Sequence, residues 1–350
     1  MDSKMLLPYK YHKHRIEGIM HFVNYIFLQV VCRAPKLPNA TFDSRLNTGN
    51  YQWIFHSQHF KYIREPLAEI YLILKQKPRA AKLLRRAVLN NNRIYELCAN
   101  KLQPVTYDEI GATYPELVAP IRLFCDKLYD EFAETEFAKE HFSDLRTYYD
   151  SVVENDTLCH CCGVGMVLNK FHAHRSALDH YLPRSIYPFV SINCKNLVPI
   201  CDVCNSKYKL AENTLFVLDE FHRPRRVRAF FPFRADPPDI KIELNLKAVG
   251  DLPQLVREKI DLKLLGGPYQ DAVDNWCRIF GIEDNYKAIY SSKSIHEWAE
   301  DVLLAKERNP DEYQMIRRNV KKRPFNDQNF LRISVFDYLD RIEEEKKKFH

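Results

Sequence analysis

Glycine is scarce, at nine residues in 350, and neither the glycines nor the 19 prolines recur at a fixed period. That excludes collagen-like chains and short-repeat solenoids, and no low-complexity tract argues for disorder. Long apolar runs are also missing. The most apolar stretch, 19–32, is broken by His21, Asn24 and Gln29, and it is shorter than the ~20 residues a bilayer span requires. It reads as a buried helix. Lys4, Lys10, Lys13 and Arg15 precede it without a small-residue cleavage pattern, so the expectation is no secretory leader, no membrane association and a cytoplasmic location.

What is present is a chain that is 46% hydrophobic, enough for a substantial core. Formal charge is +6, and residues 151–235 hold 11 Lys or Arg against 7 Asp or Glu. That local excess favours a polyanionic partner such as nucleic acid, though only weakly.

Periodicity divides the chain into three. Residues 1–154 carry helical patterns: apolar residues from Ile16 to Val31 form one stripe, and further helices are expected over 67–77, 80–101, 117–132 and 135–152. Thr106 and Glu109 have the spacing of a capping box. An irregular, aromatic-rich link is expected over 35–66. Trp53, Phe55, Phe60 and Tyr62 read as packing residues, and Lys77, Arg79, Lys82, Arg85 and Arg86 as a solvated helix face in preference to a phosphate contact. Helical periodicity stops at Asp156. Residues 155–235 form a separate small module, and 236–350 a mixed, mostly helical region, with a strand near 240–244 and helices over 268–282, 294–306 and 330–346.

Cysteine is not scarce. Ten are present, and four fall into two close pairs, Cys159-x-x-Cys162 and Cys201-x-x-Cys204, with 38 residues between them. A chain of this size needs no disulfide staples, so reduced thiols holding metal are expected. Two intervening residues let both sulfurs of a pair face one ion, and four thiolates saturate a tetrahedral zinc. That zinc is structural, because it keeps no open position. Cys161 competes with Cys162 for the first pair; Gly163 favours Cys162 by supplying a permissive backbone just after it. Cys32, Cys98, Cys125, Cys194 and Cys277 lack partner spacing and read as small buried hydrophobes.

Between the pairs lie Leu178-Asp179-His180-Tyr181-Leu182-Pro183-Arg184 and Asn196-Leu197-Val198-Pro199-Ile200, and Asn205-Ser206-Lys207 follows the second pair. Over about one sixth of the chain these segments resemble the HNH nuclease family in its zinc-stapled form, and are similar to the nuclease subunits of bacterial anti-phage defence systems such as Septu. The resemblance implies a fold that is mainly α with a small ββα-metal module: a strand ending near Asp179-His180, a loop, a strand over 197–200 and a helix starting near Cys204.

It also implies a metal-dependent endonuclease, acting on DNA in preference to RNA. Asp179 and the side-chain oxygen of Asn205 would hold a magnesium or manganese ion. His180 would be the general base, since imidazole titrates near neutrality. Asn196 would support the loop and so position His180, while Lys207 would contact the scissile phosphate. An asparagine at position 205, where a histidine is the commoner choice, points to weak metal affinity in the absence of DNA. The likeness to defence subunits suggests a partner ATPase.

Arg184 is a further expected nucleic-acid contact, as is the arm of Arg223, Arg225, Arg226 and Arg228 ahead of Phe230, Phe231 and Phe233. The plainer reading of the arm is a solvated turn leading to an apolar strand. His172 and His174 are placed on the first strand without a role. The rival for the whole chain is a non-catalytic, zinc-stabilised nucleic-acid-binding or scaffold protein, which needs the same four cysteines.

Overall fold

A computed structural model describes residues 8–47, 49–235, 238–246 and 257–348; Lys4 lies outside them. The described residues are mainly helical, with three two-stranded antiparallel sheets among them. None of its described helices is long and apolar enough to cross a membrane.

The stripe beginning at Ile16 forms helix Glu17–Tyr25, which widens into a π turn, Ile26–Val30, and tightens to a 3₁₀ segment, Val31–Lys36. Its apolar residues are buried. Gly18 lets this helix approach Glu136–Phe142, since a Cβ there would lie 2.5 Å from the Phe142 ring. Around it pack Lys61–Gln76, Pro78–Asn91 and Pro115–Lys127, the last running on into the π turn Leu128–Phe132.

Three expectations for this half need correction. The helix expected over 135–152 is two, Glu136–Phe142 and Leu145–Val153, broken at Ser143 with φ +72°. Residues 80–101 are not one helix, because Asn91 is buried at its break and donates its amide to the carbonyls of Val105 (2.8 Å) and Pro188 (3.0 Å). A second segment, Ile94–Cys98, follows. The 35–66 link is also more ordered than its composition suggests, holding short helices Phe42–Leu46 and Gln52–Phe55, and the next helix starts at Lys61 and includes Pro66. The box at Thr106 is half formed: its hydroxyl accepts the Glu109 N–H at 3.1 Å, while the Glu109 carboxylate is bound by Arg86.

In the middle segment β1 (Ala177–His180) pairs antiparallel with β2 (Leu197–Ile200), setting Asp179 opposite Val198 and His180 opposite Leu197. A helical stretch follows, closing as a π turn over Cys204–Lys209. Beyond it β3 (Phe216–Leu218) and β4 (Pro224–Arg226) make a hairpin that carries part of the arginine arm. The expected strand near 240–244 is β5 (Lys241–Leu246), paired with β6 (Ile260–Leu265). Helices Gln270–Phe280, Ile282–Tyr290, Lys293–Arg308, Pro310–Lys322 and Asn329–Lys348 complete the chain.

The three regions share one buried apolar cluster running from Tyr9 to Leu339. Tyr9 illustrates the sharing: its N–H donates to the Pro232 carbonyl (2.8 Å) and its hydroxyl to that of Pro199 (2.5 Å).

Candidate functional site

Cys159 and Cys162 lie on a tight turn closed by Cys159 N–H to Gly165 O (2.8 Å) and Gly163 N–H to Cys159 O (2.7 Å). Gly163 has φ +73°, a backbone that side chains resist. Cys201 leaves β2 and Cys204 opens the π turn, so all four buried sulfurs lie within 4.8 Å of one another. Sulfurs bound at about 2.3 Å to one tetrahedral ion stand roughly 3.8 Å apart. Cys162 and Cys201 are separated by 3.9 Å, and none of the four is in a disulfide.

Backbone N–H groups point at two of these sulfurs. Gly165 donates to Cys162 Sγ (3.3 Å) and Cys201 to Cys159 Sγ (3.4 Å). The donor set fits a thiophilic metal ion. Cys161 stays outside it, with its carbonyl accepting the Trp276 indole N–H at 2.6 Å; the Cys162 carbonyl accepts the Tyr286 hydroxyl at 2.9 Å.

The Asp179 and His180 side chains leave opposite faces of β1, as neighbours on a strand must. His180 Nε2 lies 2.9 Å from the Ser191 carbonyl oxygen. A carbonyl only accepts, so the hydrogen-bond pattern assigns the ring proton to Nε2 and leaves Nδ1 as the basic nitrogen. Burial, with smaller contributions from the positive charges of Arg184 and Lys209, pushes the imidazole pKa down to about 4. At neutral pH the ring is therefore an uncharged acceptor. Tyr129 packs edge-on against it, with centroids 4.8 Å apart.

Asn196 is fully buried in the loop that supplies Ser191. Its Oδ1 accepts the Leu182 N–H (2.7 Å), and its Nδ2 donates to the carbonyls of Leu182 (3.0 Å) and Val190 (3.2 Å). The amide thus ties the start of the loop to Val190, the residue before the Ser191 carbonyl that orients His180.

On the other face, Asp179 meets Lys209, which the sequence reading did not single out. Its ammonium lies 2.9 Å from Oδ2 and 3.2 Å from Oδ1 of Asp179, and donates to the His180 carbonyl at 2.9 Å. The Lys209 side chain is only 1% exposed. Burial raises the Asp179 pKa, and the lysine opposes that rise. Lys207, expected at the phosphate, is exposed on the same helical turn. Asn205 is half-buried on the face that also carries Lys209, four residues on.

The arginines are less free than their clustering suggests. Arg184 donates from one terminal nitrogen to both carboxylate oxygens of Asp130 (3.1 and 3.0 Å) and lies over Tyr129. Arg226 caps the carbonyls of Leu215 (2.8 Å) and Leu97 (2.8 Å), and Arg228 binds Asp271 through Nε at 2.9 Å. Arg223 bonds Asp219, its neighbour across the hairpin turn, and Arg225 is exposed. As a set, the arm is therefore mostly a structural brace. His172 and His174 lie in the turn before β1 and not on the strand, and His172 Nδ1 is 3.0 Å from Asn169 Oδ1.

The π turn at 128–132, which contributes Tyr129 and Asp130, had no sequence signal linking it to His180. Lys209 was detectable in principle, as a lysine one helical turn beyond Asn205.

No family model and no solved structure matches this chain. It is similar to Protein ea31 of Escherichia phage lambda, with 29% identity over 140 residues, covering 39% of this chain and 42% of ea31. The aligned stretch spans less than half of either protein.

Proposed function

We propose that this chain is an endonuclease of the HNH type, hydrolysing phosphodiester bonds in DNA in preference to RNA, with zinc as the ion of the four-cysteine cluster. The observation that carries this reading is His180, its Nε2 held by a carbonyl on a loop that Asn196 pins, in the segment between the two halves of a metal-fit cysteine cluster. A phosphodiester repels nucleophiles and has a poor leaving oxygen, so cleavage needs an activated water and neutralised charge. His180 Nδ1 is the group that would accept the proton from water, a contribution of about 10²- to 10⁴-fold.

The oxygen donors available for a magnesium or manganese ion are Asp179 and Asn205. Such an ion would neutralise charge on the phosphate. In the resting arrangement, however, the Asp179 carboxylate already holds an ammonium. Arg225 and Lys207, both exposed, are open to the nucleic-acid backbone. By its likeness to defence-system subunits, the chain would act as an anti-phage effector gated by a partner ATPase.

The test is nicking of plasmid, single-stranded DNA and RNA with magnesium or manganese, comparing wild type with His180→Ala at matched zinc content. Loss of cleavage in the variant supports the proposal, and equal activity removes His180 from the mechanism. The same ion pair favours the second reading, a non-catalytic zinc-stabilised nucleic-acid-binding or scaffold protein, in which Lys209 permanently replaces a cation. Nucleic-acid binding without cleavage under any metal or partner condition would support that reading.

A further inference from the structure

Arg234, just past the arginine arm, is half-buried and has no carboxylate partner among the described residues. Its guanidinium lies over the Tyr269 ring, 5.0 Å from the centroid, and makes one hydrogen bond there, to the Tyr269 hydroxyl at 3.3 Å. A guanidinium carries five N–H donors in one plane, and a charge drawn partly out of water is normally met by an anion or by several carbonyls. Arg228 has its carboxylate and Arg226 its carbonyls. Arg234 has neither.

The residue lines a pocket of about 220 Å³ that all three regions of the chain assemble: the turn after helix Ile94–Cys98, residues 228–234, and the start of helix Gln270–Phe280. Lys101 and Arg228 line it too, and none of the described residues in its wall is a carboxylate. Asp271 neutralises Arg228 from behind the wall, so the net positive charge is that of Lys101 and Arg234. Lys101 is exposed, and its ammonium has no bond or ion pair among the described residues.

Aromatic rings make the rest of the wall. Tyr95, 46% exposed, meets Phe231 edge-on with centroids 5.7 Å apart. Tyr269 carries both guanidiniums, Arg228 at 5.2 Å and Arg234 at 5.0 Å. Small buried side chains, Ala229 and Ala272, keep the space between them open. Exposed rings and flat guanidiniums are surfaces on which a heterocycle stacks. Cations without partners are what a phosphate needs. A bare anion would make no use of the rings, and an apolar ligand would leave the two charges unmet.

We propose that this pocket binds a nucleoside 5′-phosphate, with the phosphate on Lys101 and Arg234 and the base against Tyr95 and Phe231. The same chemistry is offered by a free nucleotide and by the end of a nucleic-acid strand. Neither His180, Asp179 nor any of the four clustered cysteines lines the pocket, so the inference stands apart from the nuclease reading.

The experiment titrates zinc-loaded full-length protein by calorimetry with deoxyadenosine 5′-monophosphate, with deoxyadenosine and with inorganic phosphate, for wild type, Lys101→Glu, Arg234→Gln and Tyr95→Ala. The nucleotide should bind wild type about tenfold or more tightly than either fragment does. Lys101→Glu and Arg234→Gln should each weaken it by about tenfold, the scale of one charged hydrogen bond. Tyr95→Ala should weaken the nucleotide and leave inorganic phosphate unchanged.

Equal binding of the nucleotide and either fragment overturns the proposal, as does absence of nucleotide binding or an unchanged affinity in Lys101→Glu. Lys101 is exposed, so its variant decides the matter even where Arg234→Gln fails to fold. A tetranucleotide that displaces the mononucleotide supports the pocket with a strand end as its ligand. Binding of the mononucleotide that no tetranucleotide can displace supports it with a free nucleotide.

Discussion

Asn196 and Leu182 are bonded twice, the asparagine amide accepting the leucine N–H at 2.7 Å and donating to its carbonyl at 3.0 Å. A fully buried side chain that satisfies the backbone in this way fixes where the loop between β1 and β2 begins and ends. Asn196→Ala would leave the N–H of Leu182 and the carbonyls of Leu182 and Val190 without that partner. The expected loss is about 2–4 kcal/mol in urea unfolding. Asn196→Asp should also be destabilised, since a carboxylate cannot donate to those carbonyls.

The cysteine cluster should hold one thiophilic ion per chain. Mass spectrometry under native conditions should find it as zinc, and a strong chelator should lower the melting temperature and release it together with cooperative folding. Cys204→Ala should do the same, whereas Cys161→Ala, outside the four-sulfur group, should retain the metal.

Gly165 offers a sharper test of the same centre. A Cβ added there would lie 2.4 Å from Cys201 Sγ and 3.5 Å from Cys162 Sγ. Gly165→Ala should reduce zinc content, measured by a chromogenic chelator, although no ligand has been changed. Full zinc occupancy in this variant would mean that the turn rearranges freely.

Stability should depend on acid through His180. Its folded-state pKa of about 4 lies below the ordinary 6.5, so as pH falls the unfolded chain takes up the proton first. The stabilisation is complete above 6.5 and is lost as pH falls towards 4, a change of about 3 kcal/mol for a shift of this size. Urea midpoints across that window, in magnesium-free buffer, should fall more steeply for wild type than for His180→Gln.

The arginine arm separates binding from folding. Arg225→Ala should weaken binding to a DNA duplex and flatten its salt dependence by about one counterion, with unchanged stability. Arg228→Ala should instead lower the melting temperature, because it breaks the bond to Asp271 and leaves that carboxylate unpaired. An equal loss of DNA affinity in both would restore the arm as a unit.

Some of this arrangement could be read from residue order and some could not. The cysteine pairs are a local pattern whose spacing dictates its geometry, and β1, β2 and the following helix lie close to where the motif resemblance puts them. Helix boundaries failed where a tertiary bond outweighed propensity: Asn91 ends a helix to reach Val105 and Pro188, which sequence distance hides. Side-chain partners were hidden for the same reason. Four arginines in six positions look like one surface, yet Arg226 and Arg228 turn inwards to carbonyls and a carboxylate far along the chain. Lys207 and Lys209 are indistinguishable by composition, and only the π closure decides which of them reaches Asp179.

Tyr9, Trp276 and Tyr286 come from opposite ends of the chain and all bond carbonyls around the cysteine turn or β2. The central segment is therefore not a portable cassette. Excised at residues 155 and 235, it would expose those carbonyls and the apolar rim that the three aromatic rings cover, and would be expected to aggregate even with its metal in place. Grafting it into another scaffold would require carrying both flanks along.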